Sequence, residues 1–287
     1  MEFEPCRVVV ELRASFHPSI ERVDPILTTT SFLVLGLTTA FGATYKPESD
    51  GALGDGRRDD TAAIRRAYAR CDPGDVLELA SGKVYKTSAR LLIDRPGVTI
   101  SGSGATIRAG NPGSAALFIT GANTTIRGLT VEVERGGVGR TGDNDGACPF
   151  NVHRASGVTL EDCVSRNSLG AGMFFFGATH FRVARGTVVD SLADAYHCTA
   201  GSASGEFLDC LATNPGDDGF AVVSYAREGE AGRVHDIHYR SCKLQGQSNG
   251  RGICVVGGSR ITHRDVTPVV VYPVARRNAF CCVNVSS

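Results

Sequence analysis

A helical period appears in one stretch of the chain, "DDTAAIRRAYARC" (59–71). There Ile64, Ala67, Tyr68 and Cys71 return at three- and four-residue intervals and share one face. Asp59 or Asp60 stands where an N-terminal cap belongs, and "DPGD" (72–75) ends the helix in a turn. Downstream, apolar and polar residues alternate, the period of a half-buried strand. "GVTISGSGATI" (97–107), "NTTIRGLTVEV" (123–133), "GVTLEDCVSRN" (157–167), "HFRVARGTVVD" (180–190), "GEFLDCLATN" (205–214) and "IHYRSCKLQG" (237–246) each read as a short strand. The central ones recur after 23 or 24 residues, at Leu160, Val183 and Phe207. A second apolar series, "LGAGMFFFG", "LADAYHCTAG", "GDDGFAVVS" and "GRGICVVGG", runs between them without an intervening helix or hairpin dipeptide. A repeat this short leaves no room for a strand–helix unit. It predicts an all-β fold, a right-handed parallel β-helix with a short N-terminal capping α-helix. A β-sandwich would need tight antiparallel turns, and the sequence lacks that register.

Aligning the second series on Gly172, Ala195, Gly219 and Gly252 sorts its side chains. One position later stand Met173, Tyr196, Phe220 and Ile253, and three later Phe175, Cys198, Val222 and Val255. Both columns are apolar, so the period of two turns them inward. The column between them, Phe174, His197, Ala221 and Cys254, then faces outward. Immediately before the small residue come Ala171, Asp194, Asp218 and Arg251, with Asp217 one position earlier. Stacked coils lie one strand spacing apart, ~4.8 Å. The acidic residues therefore form an outward ladder beside His197 and Arg251. Crowded carboxylates raise one another's pKa, and that separates a general acid from a base. A solvated corner is the plain alternative for any one aspartate. Asp143 and Asp145 extend the same surface by one or two coils, on a Gly-rich loop (136–146) that reads equally as a flexible flap or a plain insertion.

The chain has 287 residues, 42% of them hydrophobic, with 35 Gly and no Trp, so small and aliphatic side chains must fill its interior. Thirty basic and thirty acidic residues cancel, which argues against a general nucleic-acid or anionic-membrane surface. Ten cysteines include no CxxC pair, and Cys281-Cys282 are adjacent. Cys163, Cys210 and Cys242 hold equivalent places in three repeats and predict an interior stack of small buried side chains. A disulfide within that stack stays open in an oxidising compartment. No stretch reaches the roughly 18 apolar residues of a transmembrane helix. "SFLVLGLTTAFGA" (31–43) has the length of a signal-peptide core and ends in small residues, so a secreted protein is expected. Residues 1–30 precede it and include Glu21 and Asp24, which an upstream start codon accounts for; a plain hydrophobic strand is the alternative. The expected organisation is an extension at 1–43, a β-helix domain at 44–265 and an irregular, truncated or frame-shifted tail at 266–287.

The segment "DGALGDGRRDDTAAIRRA" resembles the opening of the pectate-lyase-like superfamily, in its rhamnogalacturonase and epimerase-like branch. The later coils resemble, remotely, the polygalacturonases of glycoside hydrolase family 28. "LADAYH" falls on that family's Asn-Thr-Asp segment and places Asp194 on its aspartate. "GDDGFAV" matches the Asp-Asp pair with Asp217 and Asp218. In "GRGICVVGGS" Arg251 replaces the family histidine, and of the Arg-Ile-Lys segment only Arg260 in "SRITHRD" remains. The resemblance implies hydrolysis of glycosidic bonds in an acidic polysaccharide, with inversion. Asp218 is then the acid, with Asp194 and Asp217 activating water. His197, Arg251, Tyr196 and Asp145 are the expected substrate contacts, guanidinium geometry suiting sugar carboxylates.

Two other readings stand beside this one. A polysaccharide lyase or uronate C5-epimerase would use His197 or Tyr196 as base and Arg251 as charge neutraliser. Hydrolysis calls for no cofactor, whereas a lyase brings calcium into play. A non-catalytic glycan-binding or structural β-helix is the remaining class, and without Trp its sugar platform would fall to Tyr196, Tyr225 and Phe174. In every case the expected partner is a polysaccharide rather than nucleic acid or membrane, and the sequence leaves the oligomeric state open.

Overall fold

The computed structural model describes residues 42–114, 117–142, 144–225, 232–246 and 249–269. Nearly all of the expected export segment, the tail from residue 270 and the Cys281-Cys282 pair lie outside the described residues. The described chain winds as a right-handed parallel β-helix. Its first sheet runs through nine strands from Thr44–Tyr45 to Ser259–Arg264, and its second through nine from Asp55–Asp59 to Thr267–Val269. The third holds seven, from Leu91–Ile93 to Ile253–Val256. Parallel strands need a long crossover. Here the crossover is the rest of the coil, which contributes to the other two sheets before returning. Thr267–Val269 pairs with Lys243–Gln245, so the ladder continues past residue 265.

The repeat read from the sequence is the true register: Leu160 pairs with Val183, and Val183 with Phe207. Each segment of the first series is nevertheless two strands, not one. Thr159–Glu161 belongs to the first sheet and Val164–Arg166 to the second. A single left-handed residue turns the corner between them. Asp162, Arg185, Asp209, Ser241 and Asp265 hold this place with φ between +52° and +54°. Asp tolerates that conformation, whereas a long side chain resists it. Arg185 is held there by paired hydrogen bonds to Asp162 at 2.7 and 2.8 Å.

The helix spans Thr61–Tyr68, and its apolar face, including Ile64, Ala67 and Tyr68, is buried against the first coils with Cys71. Asp60 occupies the cap position without capping: its carboxylate accepts the Leu53 and Gly54 N–H groups at 2.9 and 3.0 Å. Asp59 instead accepts the Thr61 N–H at 2.9 Å. The acidic pair thus ties the Gly-Asp-Gly turn to the helix start.

Both inward columns of the third sheet are interior, with Val255 half-buried at the last coil. Phe207 stacks on Tyr239 at 4.7 Å, and Tyr196 on Phe220 at 5.0 Å. Cys163, Cys210 and Cys242 are buried between sheets, and the described cysteines are free. Their thiols point at carbonyl oxygens, as Cys163 does toward Ile126 at 3.4 Å. Burial pushes the Cys163 thiol up to about 12, which leaves it inert at neutral pH. Phe207→Ala should therefore cost about 3–5 kcal/mol, because the surrounding coils cannot close the space. Leu92→Ala, on a side chain 47% exposed, should cost under about 0.5 kcal/mol. Urea unfolding measures both, and equal costs would contradict this packing.

Candidate functional site

Asp194 lies on the connection from Thr187–Val189 to Tyr196–Thr199, and the Asp217-Asp218 pair on the next, from Leu211–Thr213 to Phe220–Val223. The strand ladder extends into these connections. Gly172 donates its N–H to the Asp194 carbonyl (3.0 Å), Ala195 to the Asp218 carbonyl (2.9 Å) and Gly219 to the Arg251 carbonyl (2.8 Å). The residue before each small position is therefore stacked on its counterpart, as the repeat requires. Its carboxylate then binds one coil further. Asp194 Oδ1 accepts the Asp218 N–H at 2.9 Å, and Asp218 Oδ1 accepts the Arg251 N–H at 2.6 Å.

Those contacts occupy one oxygen of each group. Asp194 Oδ2 lies 2.6 Å from His197 Nδ1. Asp217 Oδ2 meets the Arg140 guanidinium at 2.8 Å. Asp194, Asp217 and Asp218 each bring an oxygen within 4.8 Å of the others, a set of hard donors suited to a divalent cation. Asp194 and Asp218 are buried and Asp217 is half-buried. Burial raises the Asp218 pKa, the Cys254 thiol and the Arg251 N–H oppose that rise, and the Asp194 and Asp217 charges add to it. The separation is closer than the roughly 6.5–9.5 Å of an inverting acid–base pair. Inversion, implied by the resemblance, gains no support from this spacing.

Three expected substrate contacts change. Tyr196 is wholly buried in the interior, where its hydroxyl donates to the Gly186 carbonyl at 2.8 Å. Its place in the inward column forbids contact with a polysaccharide. His197 does face outward but is only 6% exposed, resting against Phe174 with ring centroids 5.3 Å apart. It orients Asp194 and cannot reach a polymer. Phe174 is buried with Cys148 and Ala171, so of the proposed stacking rings only Tyr225 is open to solvent. Arg251 is exposed beside the cluster, its Nη1 2.9 Å from Cys254 Sγ. Asp145 falls in the short helix Asn144–Ala147, but its side chain lies outside the described residues, and Asp143 is outside them altogether.

Sequence reasoning missed Arg140. The loop that carries it packs on the outer face through Ser168 Oγ, which donates to the Ala147 carbonyl at 3.0 Å, and through Arg135, which donates to the Asn167 carbonyl at 3.0 Å. An arginine set among glycines in "GGVGRTG" was the available signal. The ladder of Phe118, His153 and Phe176 on the same sheet was also missed. Its rings stand 4.9 and 4.8 Å apart and form a half-buried stack on the outer face.

No protein-family model matches the chain, and no curated protein matches it. Solved structures do. The catalytic unit of a family 87 α-1,3-glucanase from Streptomyces thermodiastaticus strain HF3-3 has a TM-score of 0.66 at 18% identity, over 79% of this chain and 41% of that one. Pectate lyase Pel9A gives 0.56 at 16% identity, over 78% and 63%. The A-module of the Azotobacter vinelandii mannuronan C-5 epimerase AlgE6 gives 0.53 at 22%, over 78% and 66%. The chain thus spans less than half of the glucanase unit. These likenesses establish the parallel β-helix fold.

The raised Asp218 pKa carries a sign. The folded protein holds this proton more tightly than the unfolded chain, so stability falls as pH rises from the ordinary value of 3.8 through the raised one. Thermal melts of wild type and Asp218→Asn across that range should show the fall shrinking in the variant. Identical pH profiles would contradict the assignment.

Proposed function

We propose that this chain is a carbohydrate-active enzyme that hydrolyses glycosidic bonds in an acidic polysaccharide by carboxylate acid–base chemistry. One observation carries the reading: two successive coils bring Asp194, Asp217 and Asp218 within 4.8 Å on the outer side of the stack. Asp218, with its raised pKa, keeps a proton to higher pH than an ordinary aspartate and gives it to the leaving oxygen. Asp217, the most accessible of the three, supplies the second carboxylate, and Asp194 holds the pair in register. Arg140 and Arg251 at the rim suit sugar carboxylates, since a guanidinium meets a carboxylate through two parallel hydrogen bonds. Fold neighbours that are by name a glucanase, a pectate lyase and a mannuronan epimerase support the general class. A polymeric substrate also suits an exported enzyme.

The three-oxygen donor set favours a second reading, a cation-dependent lyase in which Asp194, Asp217 and Asp218 would hold a metal that would neutralise a uronate. The two are separated by product. Hydrolysis releases saturated reducing ends and survives chelation, whereas elimination gives an unsaturated, ultraviolet-absorbing product and stops on chelation.

Asp218→Asn should lower kcat on a cleaved polysaccharide by at least about 100-fold while leaving glycan binding near the wild-type level. Wild-type kcat/KM should fall as pH rises through the Asp218 pKa, because the acid is then ionised. A panel of uronic-acid and neutral polysaccharides, with product analysis, supplies the assay. Unchanged turnover in Asp218→Asn would overturn the site assignment.

A further inference from the structure

A concavity lies on the outer face of the first sheet, on the opposite side of the coil from the aspartates. It encloses about 330 Å³, and its lining includes Arg182, Glu206, His238, Arg240, Thr262 and Arg264. Strand register sets these side chains in two columns. Arg182, Glu206, His238 and Thr262 succeed one another in the first column, and Leu208, Arg240 and Arg264 in the second. The residues between the columns, Phe207 and Tyr239, are buried in the interior, so the period of two sends both columns outward.

Arg240 and Arg264 are therefore directly paired across one coil step, ~4.8 Å. Like charges so placed destabilise a sheet. Other arginines on nearby coils are compensated. Arg182 lies 3.8 Å from both Glu161 and Glu206, and Arg185 and Arg260 grip Asp162 and Asp236. Arg240 and Arg264, both exposed, have no carboxylate within ion-pair reach among the described residues. Two exposed guanidiniums therefore line one side of this groove.

We propose that this groove binds an acidic sugar chain, with one carboxylate held between the Arg240 and Arg264 guanidiniums. Planar, two-pronged donors match a carboxylate. Beside them, Thr262 and His238, hydrogen-bonded at 2.7 Å, and the exposed Glu206 offer partners for sugar hydroxyls, while Leu208 supplies an apolar contact. Nucleic acid is the poorer fit, because it needs many phosphate contacts and this chain has no net positive charge. Only the choice of a glycan rests on the proposed function of the aspartate cluster; the anion chemistry stands on the groove alone. The groove would hold a polymer on one side of the stack while the aspartates act on another.

Affinity electrophoresis of the full chain through polygalacturonate, and through a neutral dextran, tests this. Wild type should be retarded by polygalacturonate and not by dextran. Arg240→Gln/Arg264→Gln should lose at least about tenfold in polygalacturonate affinity, the size expected of two charge-assisted contacts. Its melting temperature, and its turnover of any short oligosaccharide the wild type cleaves, should stay unchanged. Asp218→Asn should be retarded like wild type, so loss of catalysis and loss of this groove are read separately. Retardation of the double variant equal to wild type overturns the proposal, as does a wild type indifferent to polygalacturonate. Equal or tighter arginine-dependent binding of duplex DNA would overturn the choice of glycan.

Discussion

The parallel hydrogen-bonded register between coils is the constraint from which the other features follow. It places each residue directly over its counterpart in the preceding coil, at one strand spacing. Whatever the sequence repeats becomes a column: aromatic rings inside, a left-handed residue at the corner between the first and second sheets, and a charged residue before the last three third-sheet strands. Columns of apolar groups cohere, since Phe207 over Tyr239 buries both rings. Columns of like charge do not. Among the described residues, the aspartates before the third sheet and Arg240 over Arg264 on the first are places where like charges stack.

The aspartates are partly structural. Asp194 and Asp218 each accept a backbone N–H from the following coil, tying together connections that are not part of the strands. One oxygen per carboxylate suffices for that work, and an asparagine would do it without charge. Crowding three carboxylates within 4.8 Å, with Asp218 buried, adds an electrostatic cost that the scaffold does not need. A site that must hold and release a proton does need it.

Much of this was readable from the alternation of apolar and polar residues. The coil register at Leu160, Val183 and Phe207 followed from the spacing, as did the inward columns of the third sheet and the convergence of Asp194 with Asp217 and Asp218. The corners were not readable, because residues as different as Asp162, Arg185 and Ser241 adopt the same left-handed conformation. Their common feature is a place in the coil. Nor did the pattern show that outward residues are covered. His197 and Phe174 occupy outward positions yet are buried, and the loop that carries Arg140 to Asp217 comes from an earlier coil. Contacts of that kind leave no local period. Tyr196 differs, because its inward column already marks it as interior, where its ring fills the core.

The most direct measurement is the carboxyl carbon-13 titration of Asp218 in the wild type and in Asp194→Asn. The stacked-coil account requires Asp218 to titrate above 3.8 in the wild type, and to move down only part of the way in the variant, since burial is the larger cause. A wild-type midpoint at or below 3.8 would mean that the carboxylates neither crowd nor lose solvent, and the proposed chemistry would have no acid.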